Sequence, residues 1–241
     1  MIYKEQFKIA LKDVGKNNKI KNRAILEIFE NIGSYHSDKV QYGANNIKNT
    51  GVTWVLLDWK VKVIKRPSYG EKLDVHTWGR NMVKFYTHRD YEVYNEKGEL
   101  CIIGTSKWTL IDIEKRKLAR VTEEIANSYE PEEKHVFKNE ELDKIKIPEE
   151  FISSITYKVA RRDIDMVGHM HNLYYLDLAY EALPQEVYDQ RPFSEIRVNY
   201  KKEIMLGDTV ICKYTKTKDS HMVVIENQET GVIHAIIELA L

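Results

Sequence analysis

Only two cysteines, Cys101 and Cys212, occur in the chain, far apart and without CxxC spacing. That scarcity excludes a disulfide framework and a cysteine-rich structural zinc site, and it leads us to expect a reducing, cytoplasmic location. An excess of charge of one sign is also missing, because 37 basic side chains balance 37 acidic ones. Without a global field the chain is not built to hold a polyanion such as nucleic acid, and any acidic partner must be met by a local patch. No apolar run approaches the roughly 18 residues needed to span a bilayer, and the opening MIYKEQFKIA has no signal-peptide core. We therefore expect a soluble, unprocessed protein that does not insert into membranes. Nor is there a G-x-S-x-G elbow, which leaves a serine hydrolase of the usual α/β kind unsupported.

What is present is a repeated order of elements. Ile25, Ile28, Phe29 and Ile32 share one face between Asn22 and Gly33, predicting an amphipathic helix with a glycine at its end. Stretches rich in Val, Thr, Trp and Tyr follow at 52–64, 72–79, 84–94 and 100–111, and read as antiparallel strands. Residues 122–150 hold ten acidic and four lysine side chains with two prolines, and read as a linker with short helical pieces. A second helix is predicted from Asn172 to Leu183, stopped by Pro184, and strands return at 196–204, 209–217, 222–227 and 232–239.

One helix followed by about four strands thus occurs twice, and the sequence supports a duplication. Val63-Ile64-Lys65-Arg66 through Gly70-Glu71 aligns with Tyr200-Lys201-Lys202-Glu203 through Gly207-Asp208. The expected fold is α+β, a tandem (double) hot-dog in which each repeat wraps an antiparallel sheet around a long helix. The expected limits are 1–121 for the first repeat, 122–150 for the linker and 151–241 for the second.

Comparing the repeats isolates the candidate chemistry. The turn before the second helix reads Arg161-Arg162-Asp163-Ile164-Asp165-Met166-Val167-Gly168-His169-Met170-His171-Asn172. The corresponding turn of the first repeat, Asp13 to Lys21, has no histidine, and Glu203 of the second repeat aligns with Arg66 of the first. Groups suited to proton transfer therefore belong to one half only. Strict alternation sets Glu203 on a polar strand face with Arg197, Asn199 and Lys201, and a bulge near Lys201 would re-aim it. Asp163, Asp165, His169 and His171 are also of metal-ligating type, but the two histidines alternate sides in an extended chain, and no metal or other cofactor is expected.

The segment Asp165 to Asn172 resembles the Asp-x-Asn-x-His-x-Asn-Asn motif of the acyl-acyl carrier protein thioesterases of plants and bacteria, matching at Asp165, His169 and Asn172. Tyr200-Lys201-Lys202-Glu203 is similar to the family's Tyr-Arg-Arg-Glu strand, and the resemblance extends over nearly the whole chain. It implies catalysis by Asp165, His169 and Glu203, with water attacking a fatty acyl thioester, a carrier-protein partner and a place in fatty acid synthesis. Where the family has asparagine, this chain has Val167, and His171 replaces the first of the paired asparagines. Carbonyl polarisation then passes to His169, to His171, or to amides at the helix start, where Asn172 lies. Ile204 stands where some relatives have a cysteine after the glutamate, so water is the expected nucleophile.

Which group takes the proton stays open between the two carboxylates and His169. Ile28, Phe29, Trp54 and Trp59 are candidates for the acyl slot. Lys60, Lys62, Lys65, Arg66, Lys201 and Lys202 are candidates for the patch that meets an acidic carrier. The rival readings are an acyl-coenzyme A thioesterase and a non-catalytic acyl-thioester binding module. A homodimer is expected from the resemblance alone.

Overall fold

The computed structural model describes all residues except 139–141, 143 and 191, the first four of which fall within the expected linker. The chain forms two compact units, Met1–Leu142 and Asp143–Leu241. In the first, an edge strand β1 (Tyr3–Lys8) precedes the helix α1 (Asn22–Lys39) and a short helix α2 (Ile47–Thr50). Strands β2 (Val52–Val63), β3 (Lys72–Gly79), β4 (Tyr86–Tyr94), β5 (Leu100–Asp112) and β6 (Lys117–Leu118) follow, and then α3 (Glu123–Ser128). The sheet is antiparallel in the order β1-β3-β4-β5-β2, with β6 on β5.

The second unit repeats this plan. Strand β7 (Ser153–Lys158) leads to α4 (Asn172–Glu181), α5 (Gln185–Asp189), β8 (Glu195–Tyr200), β9 (Thr209–Lys216), β10 (His221–Asn227) and β11 (Ile233–Ala240). Its antiparallel order, β7-β9-β10-β11-β8, matches that of the first unit strand for strand. Each unit thus has the hot-dog arrangement, and the chain is a tandem of two.

In the first unit Phe29 of α1 stacks on Tyr91 of β4 with centroids 4.3 Å apart and lies 5.9 Å from Trp59 of β2. The helix runs six residues beyond Gly33, which is not its end. A Cβ on Gly33 would stand 3.4 Å from Tyr91 Oη and 3.5 Å from Arg89 Cδ, ordinary contact distances, so neither a helix end nor close packing requires the glycine. The second helix ends at Glu181, and Pro184 stands at the start of α5, where its missing N–H costs nothing.

The acidic stretch after Val121 is more ordered than its composition suggests. Val121, Ile125 and Tyr129 close a small core with Leu110, and Thr122 caps α3 by accepting from Ile125 N. Beyond it the backbone lies along the first sheet: Trp78 Nε1 donates to Lys134 O at 2.9 Å, and Val136 N donates to Asp90 Oδ2 at 3.1 Å. Among the described residues, no helix is long and apolar enough to cross a membrane.

Candidate functional site

The turn before α4 is organised by two aspartates. Asp163 is buried and accepts from Ala160 N and Tyr157 Oη, both at 2.8 Å, as Asp13 accepts from Ala10 N in the first unit. It is a structural cap shared by both repeats. Asp165 replaces Gly15 of the first repeat. Its Oδ1 accepts from Val167 N at 2.9 Å and His169 N at 3.1 Å, while its backbone N–H donates to His169 O at 2.8 Å. Gly168, at φ 91°, allows the chain to reverse between them. One carboxylate oxygen therefore fixes the turn that carries His169, and Oδ2 has no partner among the described residues.

Glu203 reaches the same place from β8. That strand ends at Tyr200, and the amides of Lys201 and Lys202 both donate to His234 O, at 2.8 and 3.3 Å. Two residues opposing one is the bulge that the alternation of the strand required. The first unit has the same irregularity, with Ile64 N and Lys65 N both on Cys101 O, which makes Arg66 the structural counterpart of Glu203. Past the bulge, Met170 N donates to Ile204 O at 2.8 Å and His169 pairs with Met205 as an isolated bridge. The backbone thus joins the segment carrying His169 to the segment carrying Glu203. Neither side chain has a hydrogen-bond partner among the described residues, His169 being half-buried and Glu203 exposed.

In the first unit the equivalent space is closed. Arg66 Nη1 donates to Ile20 O and to Asn22 Oδ1, both at 2.8 Å, and Asn22 is buried. Lys19, which stands where His169 does, bonds Ser68 Oγ at 2.9 Å. In the second unit, among the described residues, no cation holds Asn172 and its half-buried side chain makes no hydrogen bond. His171 caps α4, its Nδ1 accepting from Leu173 N at 3.3 Å. That geometry puts the imidazole proton on Nε2.

One further residue of this site, which sequence pattern alone reads as a packing or surface tyrosine, makes a bond that the pattern does not show. Tyr175, one turn along α4 from Asn172, is 2% exposed, and its Oη accepts from Ile204 N at 3.1 Å. Burial raises its pKa, and the nearby carboxylates of Glu203, Asp165 and Asp208 raise it further. The first repeat has Ile25 and Pro67 at the two positions. Proline has no N–H to satisfy, so an apolar partner suffices there. The paired change to Tyr175 and Ile204 is the signal that the repeat comparison contained.

The four apolar candidates lie in the first unit. Phe29 and Trp59 are buried in the core, Ile28 is half-buried on α1, and Trp54 lines a cavity of about 130 Å³ between α1 and the sheet. Of the candidate docking cations, Arg66 is turned inward as described and Lys65 pairs with Glu99, whereas Lys201 and Lys202 are exposed. Among the described residues no three His, Cys, Asp or Glu side chains gather as a cation site.

Residues 1–129 match the acyl-ACP thioesterase N-terminal domain and residues 145–239 the C-terminal domain. This chain belongs to the acyl-ACP thioesterase family. It is 26% identical over 234 residues to oleoyl-acyl carrier protein thioesterase 1 of Arabidopsis thaliana, covering 90% of this chain and 64% of that protein. It is 23% identical over 226 residues to the Coriandrum sativum oleoyl enzyme, covering 86% and 61%. The chain therefore spans less than two thirds of these relatives' length. Its fold is that of an acyl-ACP thioesterase from Bacteroides thetaiotaomicron, with a TM-score of 0.89 at 20% identity over 99% and 97% of the two chains. It is equally that of the 12:0-ACP thioesterase of Umbellularia californica, with a TM-score of 0.88 at 17% identity over 99% and 96%.

Proposed function

We propose that this member of the family hydrolyses fatty acyl-acyl carrier protein thioesters in the cytoplasm, releasing free fatty acid and the carrier thiol. The observation that carries the reading is the contrast between repeats. The backbone bond Met170 N to Ile204 O joins the segments of His169 and Glu203 in the second unit, with both side chains unengaged among the described residues, while Lys19 and Arg66 fill the same positions in the first. Family membership and the names of the relatives supply the substrate class.

In this mechanism Asp165 Oδ2 and Glu203 orient a water, and one carboxylate takes its proton as the oxygen adds to the acyl carbon. His169 stabilises the oxyanion by hydrogen bonding. His171 holds the start of α4 and Asn172 offers its amide beside it, while Val167 contributes only a backbone N–H already given to Asp165. Collapse of the adduct breaks the carbon–sulfur bond, and the proton taken from water passes to the departing thiolate. The first unit receives the hydrocarbon chain, with Trp54 at its cavity and Ile28, Phe29 and Trp59 forming the packed surroundings.

The test is release of free acid from carrier-protein and coenzyme A thioesters of several chain lengths, beside Asp165→Ala and His169→Ala. Preference for the carrier-linked substrate supports the reading. Equal or better turnover of the coenzyme A thioester would reassign the partner, and tight binding without release would make the chain a binding module.

A further inference from the structure

The outer face of the first sheet is bare at one end. Tyr86 of β4 and Val55 of β2 stand on either side of Thr109 of β5, and Leu118 of β6 and Thr53 of β2 on either side of Ile111. Residues 109 and 111 share a face, and Leu110 between them is turned into the core. Two turns extend the same apolar region: Val83 exchanges both backbone bonds with Tyr86, and Ile113 follows β5. Tyr86, Val55, Leu118, Val83 and Ile113 are between 39% and 61% exposed, so no described element covers them. The segment after α3 lies farther along the sheet, where Lys134 meets Glu92 and Val136 meets Asp90.

Cations are interleaved with these side chains. Lys84 follows Val83, Arg116 and Lys117 precede Leu118, and Arg120 lies two residues beyond it; all four are exposed, and none pairs with a carboxylate among the described residues. Lys107 of β5 lies over the Tyr86 ring at 5.0 Å. The acidic groups of the β5–β6 turn are Asp112, which Lys115 holds at 3.0 Å, and Glu114, while Glu123 and Glu124 belong to α3 on the Leu110 side of the sheet. The patch is therefore cationic in a chain whose net charge is zero. An interface with another protein gathers its apolar side chains in a core from which lysine is depleted. Here lysine and arginine alternate with the apolar groups along the same turns, on stems that can lie along hydrocarbon while the charge stays among headgroups. Aliphatic side chains and tyrosine beside Lys and Arg suit the interface of a bilayer with anionic lipid.

We propose that this end of the first unit is a docking surface for an anionic lipid bilayer, on which the chain lies without spanning it. The five apolar side chains enter the headgroup layer, and Lys84, Lys107, Arg116, Lys117 and Arg120 meet lipid phosphates. Met82, the residue before Val83, lines the cavity between α1 and the sheet, so the turn that carries Val83 also borders the space assigned above to the hydrocarbon chain. Binding to lipid needs no turnover and does not use Lys201 or Lys202, so the assignment stands or falls separately from the hydrolysis reading and from carrier docking.

Flotation of the intact chain with vesicles tests this, comparing phosphatidylcholine alone with phosphatidylcholine and phosphatidylglycerol in equal parts. The chain should bind the mixed vesicles, detach as salt is raised, and leave the neutral vesicles unbound. Arg116→Gln with Lys117→Gln should weaken partitioning roughly thirty-fold, about fivefold for each cation removed. Val83→Ser with Leu118→Ser, at unchanged charge, should weaken it about tenfold or more. Lys201→Gln with Lys202→Gln should leave it in place. No binding to mixed vesicles at low salt, equal binding to both kinds, or an equal loss from the Lys201 and Lys202 pair would each overturn the assignment. So would binding of a carrier protein that the patch substitutions weaken while vesicles stay unbound. The comparison of vesicles uses the unaltered chain and decides the matter even if a variant does not fold.

Discussion

Replacing Tyr175 with phenylalanine deletes one oxygen and leaves the ring in place, edge-on to Tyr200 at 5.3 Å. The deleted atom is the acceptor for Ile204 N–H, and Ile204 is fully buried, so its amide cannot turn to water instead. An unmet buried donor costs about 1–3 kcal/mol. For a chain of this size each kcal/mol lowers the thermal midpoint by roughly 2–4 °C, so a fall of about 2–12 °C is expected in a calorimetric melt. Function should respond as well, because the residue before the released amide is Glu203. On the proposed mechanism, the kcat for acid release should drop while KM changes little, since the phenol holds the amide that follows Glu203. An unshifted midpoint with unchanged kcat would refute both halves of the argument, showing that the amide finds another acceptor and that the phenol does not hold Glu203 in place.

Acid sensitivity is expected from two histidines. Burial is the main cause that lowers His36 to about 3 and His88 to about 4. Both folded values lie below the unfolded value of about 6.5, so their contribution is complete above that pH and is lost as pH falls toward 4 and then 3, at up to about 1.4 kcal/mol per pH unit for each. Urea midpoints at pH 7, 6 and 5 should decline, and His36→Gln, which can still accept from Arg89, should decline less steeply; identical slopes would remove His36 as a cause. Burial raises the pKa of the Cys101 thiol and pushes that of Cys212 up to about 12, so neither should react with a disulfide reagent until the chain is unfolded. Rapid labelling of the native protein would contradict their burial. On the proposal that exposed Lys201 and Lys202 are docking cations, KM for a carrier-linked thioester should rise with ionic strength, while KM for a neutral short thioester should not. Parallel responses would count against those lysines as the docking cations.

The two longer helices α1 and α4, eight of the strands and the tandem order are legible because their patterns are local: helical spacing in α1, and β-branched and aromatic runs in β2 to β5 and β8 to β11. Strands β1 and β7 and the two-residue β6 are not legible in this way. YKEQFK and SSITYK carry few apolar side chains, since each lies at the end of its unit's strand order and buries only alternate residues partially. Gly33 is not a helix stop, because its backbone stays helical and α1 runs on to Lys39. The candidate site is legible in the sequence only as residue types and spacing. What the sequence could not express was which atoms are already engaged: that one oxygen of Asp165 holds its own turn, that His171 caps α4, and that Arg66 is drawn onto Asn22. The role of Tyr175 depended on a backbone amide brought in from Ile204, a long-range contact that only the paired contrast with Ile25 and Pro67 hints at.

The central claim is that hydrolytic chemistry belongs to the second repeat and runs through Asp165, His169 and Glu203. Single-turnover release of free acid from an acyl-acyl carrier protein thioester, measured for the unaltered chain and for Asp165→Ala, His169→Ala and Glu203→Gln, tests it most directly. A loss of ~10²–10⁴ in rate is expected where the general base is removed, and about 3 kcal/mol in barrier where the oxyanion donor is removed. Release at the unaltered rate by all three folded variants would contradict the claim.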